Sequence, residues 1–309
     1  MYEQITKNKR RTFFLILGSF VFLGAMGFAL GAIFFSPAEG LVWMTLGLII
    51  AAIQSFAALR WGDRMVLAST RAVAVTAEEN PRLHNLVEGL AIAAGIPKPA
   101  IYIVPEQAPN AFATGRDPEH SSIAVTQGLL EMMNRVELEG VIAHEMSHIQ
   151  DRDMLVNTIV GTLVGAVVLL SEFFLRWWFW GGMGRRSSNN DSGGGGVQLI
   201  GLVIGILLLI LAPVCAQMIK MAVSRRREYL ADAQGAMLTR YPPGLAAALK
   251  KIGGAPTGMR VASGATNHFW LAEPTHLRGR GEQEREAWGS RLFSTHPPIE
   301  ERIKILEEM

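Results

Sequence analysis

Hydrophobic residues are concentrated in four long runs that contain no charged residue. These runs cover residues 12–38, 40–59, 154–171 and 197–219. Since about 20 apolar residues cross the hydrocarbon core of a bilayer, the pattern predicts four transmembrane helices. The alternative for each run is a buried helix of a globular protein. This alternative is strongest for the third run, because that run is the shortest and contains Asn157 and Thr158.

The basic residues predict how these four helices are oriented. Cations stand before the first run, after the second and after the fourth, at Lys7, Lys9, Arg10, Arg11, Arg60, Arg64, Lys220 and Arg225 to Arg227. Because Lys and Arg favour the cytoplasmic side, we expect these three flanks in the cytoplasm. The short link from Ser36 to Gly40 favours a hairpin over a cleaved signal peptide. The 176–196 loop should then face outwards, although it carries three arginines of its own.

Two polar segments remain, residues 60–153 and 220–309, and both are expected on the cytoplasmic side. Local patterns predict helices at 81–94, 136–150, 225–238, 245–252 and 297–308, and strands at 100–104, 110–115 and 122–126. The stretch 253–293 has no clear pattern. The sequence therefore predicts an α+β integral membrane protein, with transmembrane hairpins within 1–59 and 154–219. The two polar segments would form one discontinuous cytoplasmic domain.

Composition and charge narrow the possible functions. The chain has 29 Lys+Arg against 27 Asp+Glu, a formal net charge of +2 that argues against binding nucleic acid through a general field. Half of the residues are hydrophobic, which argues against disorder. Cys215 is the single cysteine, so an intramolecular disulfide and a site built only from cysteines are excluded. Any metal must be held by His and carboxylates.

The sharpest chemical signal is the sequence His144-Glu145-Met146-Ser147-His148 within the helix predicted at 136–150. Residues four apart lie about one helical turn apart on one face. Both imidazoles can therefore share a small ion, a spacing typical of zinc ligands. Glu145 lies at the rim of that face, where its carboxylate can act as a base toward water. The alternative is a helix with two ordinary interfacial histidines.

A catalytic zinc site needs a third protein ligand, and Glu228 is the best candidate. Asp232 follows one turn later on the same helical face, so one carboxylate can bind the ion while the other accepts the Nδ1–H of a histidine. Two predicted spans separate His148 from Glu228, and an even number returns the chain to the same side of the membrane. The alternative is a solvated, ion-paired helix end beside Arg225 to Arg227.

Taken together, these motifs resemble those of HtpX-type membrane zinc metalloproteases, in the gluzincin group that also contains the CAAX prenyl proteases. The resemblance also rests on Asn110-Ala111-Phe112-Ala113-Thr114-Gly115 upstream and on Ser294-Thr295-His296-Pro297-Pro298 with Arg302 downstream. It implies a zincin-like domain, one Zn²⁺ per chain at His144, His148 and Glu228, and a catalytic base at Glu145. It also implies a bacterial inner membrane location, with the N-terminus and the active site in the cytoplasm.

The resemblance implies two further roles around the site. His296 would stabilise the developing oxyanion, supported by Arg302, unless the Thr-His-Pro-Pro sequence only starts a helix. Residues Asn110, Ala111, Phe112, Ala113 and Thr114 would form an edge strand that pairs with an extended substrate. The alternative for that segment is a strand inside the sheet.

The predicted function is hydrolysis of peptide bonds in membrane or misfolded proteins at the cytoplasmic face of the bilayer, as part of quality control. One alternative is a membrane transporter or scaffold with a structural zinc site, but the runs hold few polar residues that could line a path. Another is a prenyl-protein endopeptidase, for which four spans are few to build a large intramembrane chamber. The sequence leaves the oligomeric state and the cleavage preference open.

Overall fold

The computed structural model describes residues 2–34, 36–164, 225–255, 258–259, 269–272 and 297–309. Its helices are α1 (Tyr2–Phe34), α2 (Pro37–Ser69), α3 (Pro81–Ala94), α4 (Gln127–Met132), α5 (Arg135–Gln150), α6 (Asp153–Val164), α7 (Arg225–Thr239), α8 (Pro242–Gly254) and α9 (Ile299–Glu307). The strands are β1 (Val73–Ala74), β2 (Ala100–Val104), β3 (Ala111–Asp117) and β4 (His120–Thr126). The described part of the chain is thus rich in helices and contains one small sheet.

Helices α1 and α2 form the hairpin that the sequence predicts, and both are long and apolar enough to cross a membrane. Ser36 caps α2, which begins at Pro37. The predicted link from Ser36 to Gly40 was therefore too long, because Pro at the first helical position extends the helix into it. The two helices approach closely at glycines. A Cβ placed on Gly27 would lie 2.3 Å from the carbonyl oxygen of Trp43, a closeness that small residues allow between membrane helices.

The third predicted span begins as helix α6, which is apolar and buried over the described residues. Val156, Ile159 and Val160 of α6 pack against Leu15 of α1 and Ala58 of α2. The rest of this span lies outside the described residues, and so does the whole of the fourth. Two of the four predicted spans are therefore present as candidate membrane helices, and the other two stay predictions.

Local capping signals fix the ends of the helices in the first polar segment. Asn80 caps α3, and Gly95 ends it in the left-handed conformation with φ of 67°, a geometry that glycine adopts without strain. Asn134 and Glu137 form a reciprocal capping box at the start of α5, which satisfies backbone N–H groups that no helical carbonyl can reach. These caps set where the helix of His144 begins.

The sheet has the strand order β1-β2-β4-β3, in which β2 and β4 are parallel and the other neighbours are antiparallel. Strand β3 therefore lies at an edge, not inside the sheet. Helix α5 packs between this sheet and helices α7 and α8, and its apolar residues form the centre of the largest buried cluster. The sheet and α7 thus approach α5 from different sides.

Two glycines allow the helices to come close to α5. A Cβ on Gly140 would lie 2.6 Å from the backbone nitrogen of Leu245 in α8. A Cβ on Gly235 of α7 would lie 3.0 Å from the backbone nitrogen of His144. Side chains at these positions would force the helices apart, so both glycines determine how near α7 and α8 lie to the helix that carries the histidines.

Candidate metal centre

Helix α5 presents His144 and His148 on one face, as their spacing predicts. Their ring centroids are 4.8 Å apart and their Nε2 atoms are 3.1 Å apart. His144 is fully buried, and the His148 side chain is 12% exposed. The two imidazole nitrogens therefore face each other at the end of a nearly closed space.

Helix α7 brings the carboxylate of Glu228 to this pair. Its Oε2 lies 3.8 Å from Nε2 of His144, and its Oε1 lies 3.7 Å from Nε2 of His148. One potential ligand atom from each of the three residues lies within 4.8 Å of the others. Ligands about 2.0–2.2 Å from a shared tetrahedral ion are separated by about 3.3 Å, so the three groups are arranged as such an ion requires.

The outer nitrogens of both imidazoles face carboxylates. Nδ1 of His144 lies 2.9 Å from Oδ1 of Asp232, and Nδ1 of His148 lies 3.2 Å from Oδ2 of Asp153. A carboxylate at Nδ1 holds the proton there and leaves the lone pair on Nε2. The two Nε2 atoms lie 3.1 Å apart, so a cation between them could accept both lone pairs. The chemistry of the donor set therefore fits a metal ion.

Arg302 of helix α9 holds Asp232 in place. Its Nε and Nη2 donate to the two carboxylate oxygens of Asp232 over 2.8 and 2.7 Å, and Nη1 donates to the carbonyl of Leu271. The arginine is fully buried. Burial raises the pKa of Asp232, but the charge and hydrogen bonds of Arg302, together with the smaller effect of His144, outweigh it and leave this pKa below its ordinary value. The resemblance implied that Arg302 supports His296, whereas the structure places it against Asp232, the carboxylate that faces His144.

Asp153, at the start of helix α6, is a site residue that the sequence reasoning missed. Its Oδ1 accepts hydrogen bonds from Arg227 over 3.2 Å and from Nδ2 of Asn8 over 2.5 Å. An acidic residue five positions after His148 could have been noticed as a candidate second-layer partner. Nothing in the sequence indicates that Asn8, in the N-terminal helix, reaches the same carboxylate.

Glu145 lies beside the three potential ligands and is 2% exposed. Its carboxylate accepts a hydrogen bond from the backbone N–H of Ala113 in strand β3. Burial raises the pKa of Glu145 to about 7; His148 lowers it, and the Glu228 carboxylate raises it further. A carboxyl group with this pKa can both take up and release a proton near neutral pH.

The pairing of β3 with β4 determines which backbone groups face the metal ligands. In an antiparallel pair, hydrogen-bonded and non-hydrogen-bonded positions alternate along the strand. The N–H of Thr126 donates to the carbonyl of Asn110 over 2.9 Å, so Asn110 directs its carbonyl toward β4. Ala111, Ala113 and Gly115 consequently direct their N–H and carbonyl groups away from β4, toward the outer edge.

Other parts of the chain occupy both ends of this outer edge. The carbonyl of Ala111 accepts a hydrogen bond of 3.0 Å from the N–H of Leu271. Gly115 bonds through its N–H and its carbonyl to the hydroxyl of Thr158, at 3.4 and 3.3 Å. Among the hydrogen bonds of the described residues, none reaches the carbonyl of Ala113. The middle of the edge, next to Glu145, is therefore the part that a further strand could pair with.

The remaining predicted substrate-binding residues contact other parts of the chain, and Asn110 and Phe112 contact the segment 269–272. The Asn110 side chain donates to the carbonyl of Ala272 over 2.7 Å and accepts from its N–H over 3.1 Å. The Phe112 ring is buried, with its centroid 4.8 Å from that of Trp270. Thr114 bonds to the hydroxyl of Thr158 over 3.0 Å. His296, the predicted oxyanion residue, lies outside the described residues.

The space enclosed by these groups is small. The cavity lined by the two histidines, Glu145 and Glu228 has a volume of about 10 Å³, room for about one water molecule. Phe269, Trp270 and Leu271 close it on the side of strand β3. The described space is too small for a polypeptide, and the segment 269–272 forms part of its wall.

Comparison with known proteins gives this geometry a family context. The profile described as peptidase family M48 matches residues 77–309. A protease HtpX homolog of Thermoanaerobacter pseudethanolicus is 45% identical over 311 residues, covering 100% of this chain and 98% of the relative. One of Lactobacillus acidophilus is 41% identical and covers 100% of both chains. The crystal structure of S. mikatae Ste24p is 18% identical, with a TM-score of 0.48, over 99% of this chain and 67% of that one.

Proposed function

The chain belongs to peptidase family M48 and is a membrane-bound metalloprotease, and we propose that one zinc ion held by His144, His148 and Glu228 forms its active centre. Two imidazoles and one carboxylate are a ligand set that zinc enzymes use, with the fourth position left for water. The observation that carries the proposal is the convergence of these three side chains, with ligand atoms within 4.8 Å of one another.

The bound ion would act as a Lewis acid that activates water and polarises the scissile carbonyl. Asp232 and Asp153 orient the two imidazoles through their Nδ1 atoms, and Arg302 fixes Asp232. This outer layer keeps both Nε2 lone pairs directed inward.

Glu145 is proposed to act as the general base and then as the general acid. It takes a proton from the attacking water and delivers it to the leaving amine, so the peptide bond is hydrolysed without an acyl-enzyme. Burial of the carboxylate supports this role because it raises the pKa of Glu145 to about 7, and the backbone N–H of Ala113 lies against the carboxylate.

The polypeptide substrate is proposed to pair with the edge strand formed by Asn110 to Thr114. Edge pairing recognises the backbone and accepts many side-chain sequences, which suits a protease acting on misfolded proteins. The outward-facing backbone of Ala113 next to Glu145 supports this docking position. We further propose that His296 stabilises the oxyanion, as the resemblance implied.

Membrane or misfolded proteins at the cytoplasmic face are the proposed substrates. Hairpin α1–α2 and the basic residues around it support an active site at that face. The alternative of a transporter or scaffold with structural zinc is not favoured, because the family and the relatives are proteases.

Casein digestion by the detergent-solubilised full chain tests this proposal. We expect cleavage that a chelator abolishes and zinc restores. Glu145→Gln should keep one zinc per chain while its rate falls by about 10²- to 10⁴-fold, the contribution typical of a general base. Cleavage at the wild-type rate by Glu145→Gln would contradict the assigned role. Cleavage that persists without any metal would contradict the proposed centre.

A further inference from the structure

Asn8 lies in the N-terminal part of helix α1, before the first uncharged run, yet it is buried next to the metal centre. It is 1% exposed. Its Nδ2 donates to Oδ1 of Asp153 over 2.5 Å and to the backbone carbonyl of Asp151 over 3.0 Å. One amide group therefore forms hydrogen bonds to the residue before and the residue after Arg152, in the turn that joins α5 to α6.

This turn is the part of the backbone that aims Asp153 at His148. Arg152, in its centre, has a positive φ of 58°, a conformation that costs free energy for a residue with a side chain. Contacts around the turn must therefore maintain it. The two hydrogen bonds from Asn8 connect residue 151 with residue 153 across Arg152.

Asp153 uses its two oxygens for different partners. Oδ2 faces Nδ1 of His148 at 3.2 Å, whereas Oδ1 accepts from Asn8 and from Arg227, the neighbour of Glu228. Donors on Oδ1 prevent the carboxylate from rotating and keep Oδ2 directed at the imidazole. We propose that Asn8 is a positioning residue of the metal centre, which fixes His148 through Asp153.

This inference rests on the proposed zinc site and extends it to the segment before the first span. The helix that enters the membrane would then also complete the metal centre, so the protease domain and its membrane anchor would be coupled. Mutation of a residue that hydrogen-bonds to a metal ligand typically weakens metal affinity by about 10- to 100-fold. Because Asn8 acts through Asp153, we expect an effect near the lower end, about 10-fold.

The test compares zinc affinity of full-length variants in detergent, measured by competition with a chromophoric chelator. Asn8→Leu keeps the volume and removes the donor, and it should weaken zinc binding about 10-fold. Thr12→Val is the matched control, because Thr12 is buried one turn further along α1 and its hydroxyl bonds to none of the described residues. It should bind zinc as the wild type does.

A double-mutant cycle separates positioning from a general loss of structure. Asp153→Asn alone should weaken zinc binding, and adding Asn8→Leu to it should change the affinity less than about twofold, because both act through one contact. Full additivity of the two effects would overturn the proposal. Unchanged zinc affinity of Asn8→Leu would overturn it as well.

Asn8→Ser guards against misfolding of the leucine variant. Its shorter polar side chain leaves Asp153 out of reach, so its zinc affinity should fall in the same way, and wild-type affinity would contradict the inference. Circular dichroism of the metal-free proteins checks whether each variant is folded. The wild type and His148→Ala distinguish the two levels of the argument. If the wild type binds no stoichiometric zinc, or if His148→Ala binds zinc as the wild type does, the proposed function fails. If His148→Ala loses zinc while the Asn8 variants bind it like the wild type, the inference alone fails.

Discussion

At the scale of single residues, we expect removal of the Arg302 charge to lower the stability of the protein strongly. It is fully buried and bonds to both oxygens of Asp232, which is itself 1% exposed. Arg302→Ala would leave a buried carboxylate without its countercharge, a loss of about 3–5 kcal/mol in the free energy of unfolding. We expect a melting temperature lower by about 5 °C or more for the metal-free protein in detergent.

Lys304→Ala is the control for this prediction. Lys304 lies on the same helix, and its side chain is 77% exposed, so its removal should leave the melting temperature nearly unchanged. If both variants had the melting temperature of the wild type, the ion pair of Arg302 and Asp232 would not stabilise the protein as described.

The residues of the site differ in how far the sequence could identify them. His144 and His148, and likewise Glu228 and Asp232, are four positions apart, and helical periodicity alone places each pair on one face. The structure brings the potential ligand atoms of His144, His148 and Glu228 within 4.8 Å of one another, and their role as metal ligands stays a prediction. Asn8 and Asp153 are 145 positions apart. No local sequence pattern indicates that the first residues of α1 contact the turn between α5 and α6.

At the scale of elements, close helix crossings should tolerate no added methyl group. A Cβ at Gly140 would meet the backbone of Leu245 at 2.6 Å, where only movement of helix α8 could relieve the clash. Gly140→Ala should therefore destabilise the protein by about 1–3 kcal/mol. Thermal unfolding monitored by circular dichroism measures this change.

Gly89→Ala in helix α3 is the matched comparison. A Cβ at Gly89 would meet no atom within 4 Å, and alanine restricts the unfolded chain more than glycine does. We expect this variant to be as stable as the wild type, or more stable by up to about 1 kcal/mol. Equal destabilisation by both substitutions would show that helix propensity, not the α5–α8 contact, governs position 140.

Most elements were predictable because their signals are local. Asn80 and Gly95 bound α3, and the predicted strands at 100–104 and 122–126 lie within β2 and β4. Strand β1 and helix α4 were missed because two and six residues are too short to show a period. The edge position of β3 depends on long-range strand pairing, so the sequence left it open and the sheet order decided it.

At the scale of the whole molecule, a labelling experiment can test which side of the membrane each segment occupies. The predicted orientation puts the 176–196 loop outside and the protease domain inside. In a Cys215→Ala background, Ser192→Cys should react with a membrane-impermeant maleimide in intact cells. Arg82→Cys, at an exposed position of α3, should react only after the cells are lysed. The reverse labelling pattern would contradict the proposed cytoplasmic location of the active site.

The long runs and the motif order predicted the membrane-bound protease, because hydropathy and ligand spacing are both properties of the linear chain. The way in which parts distant in sequence meet was not predictable. The backbone of segment 269–272 forms hydrogen bonds with the side chain of Asn110 and the carbonyl of Ala111, and this segment lies within a stretch that shows no hydrophobic period. The contact of α1 with the turn before α6 could not be predicted from the sequence either.

X-ray absorption at the zinc edge of the purified full chain tests the central claim most directly. The account predicts one zinc per chain, bound by two imidazoles, one carboxylate and one further light atom, and loss of that zinc in Glu228→Ala. A spectrum with a single imidazole, or a Glu228→Ala protein whose zinc content and coordination match the wild type, would contradict it.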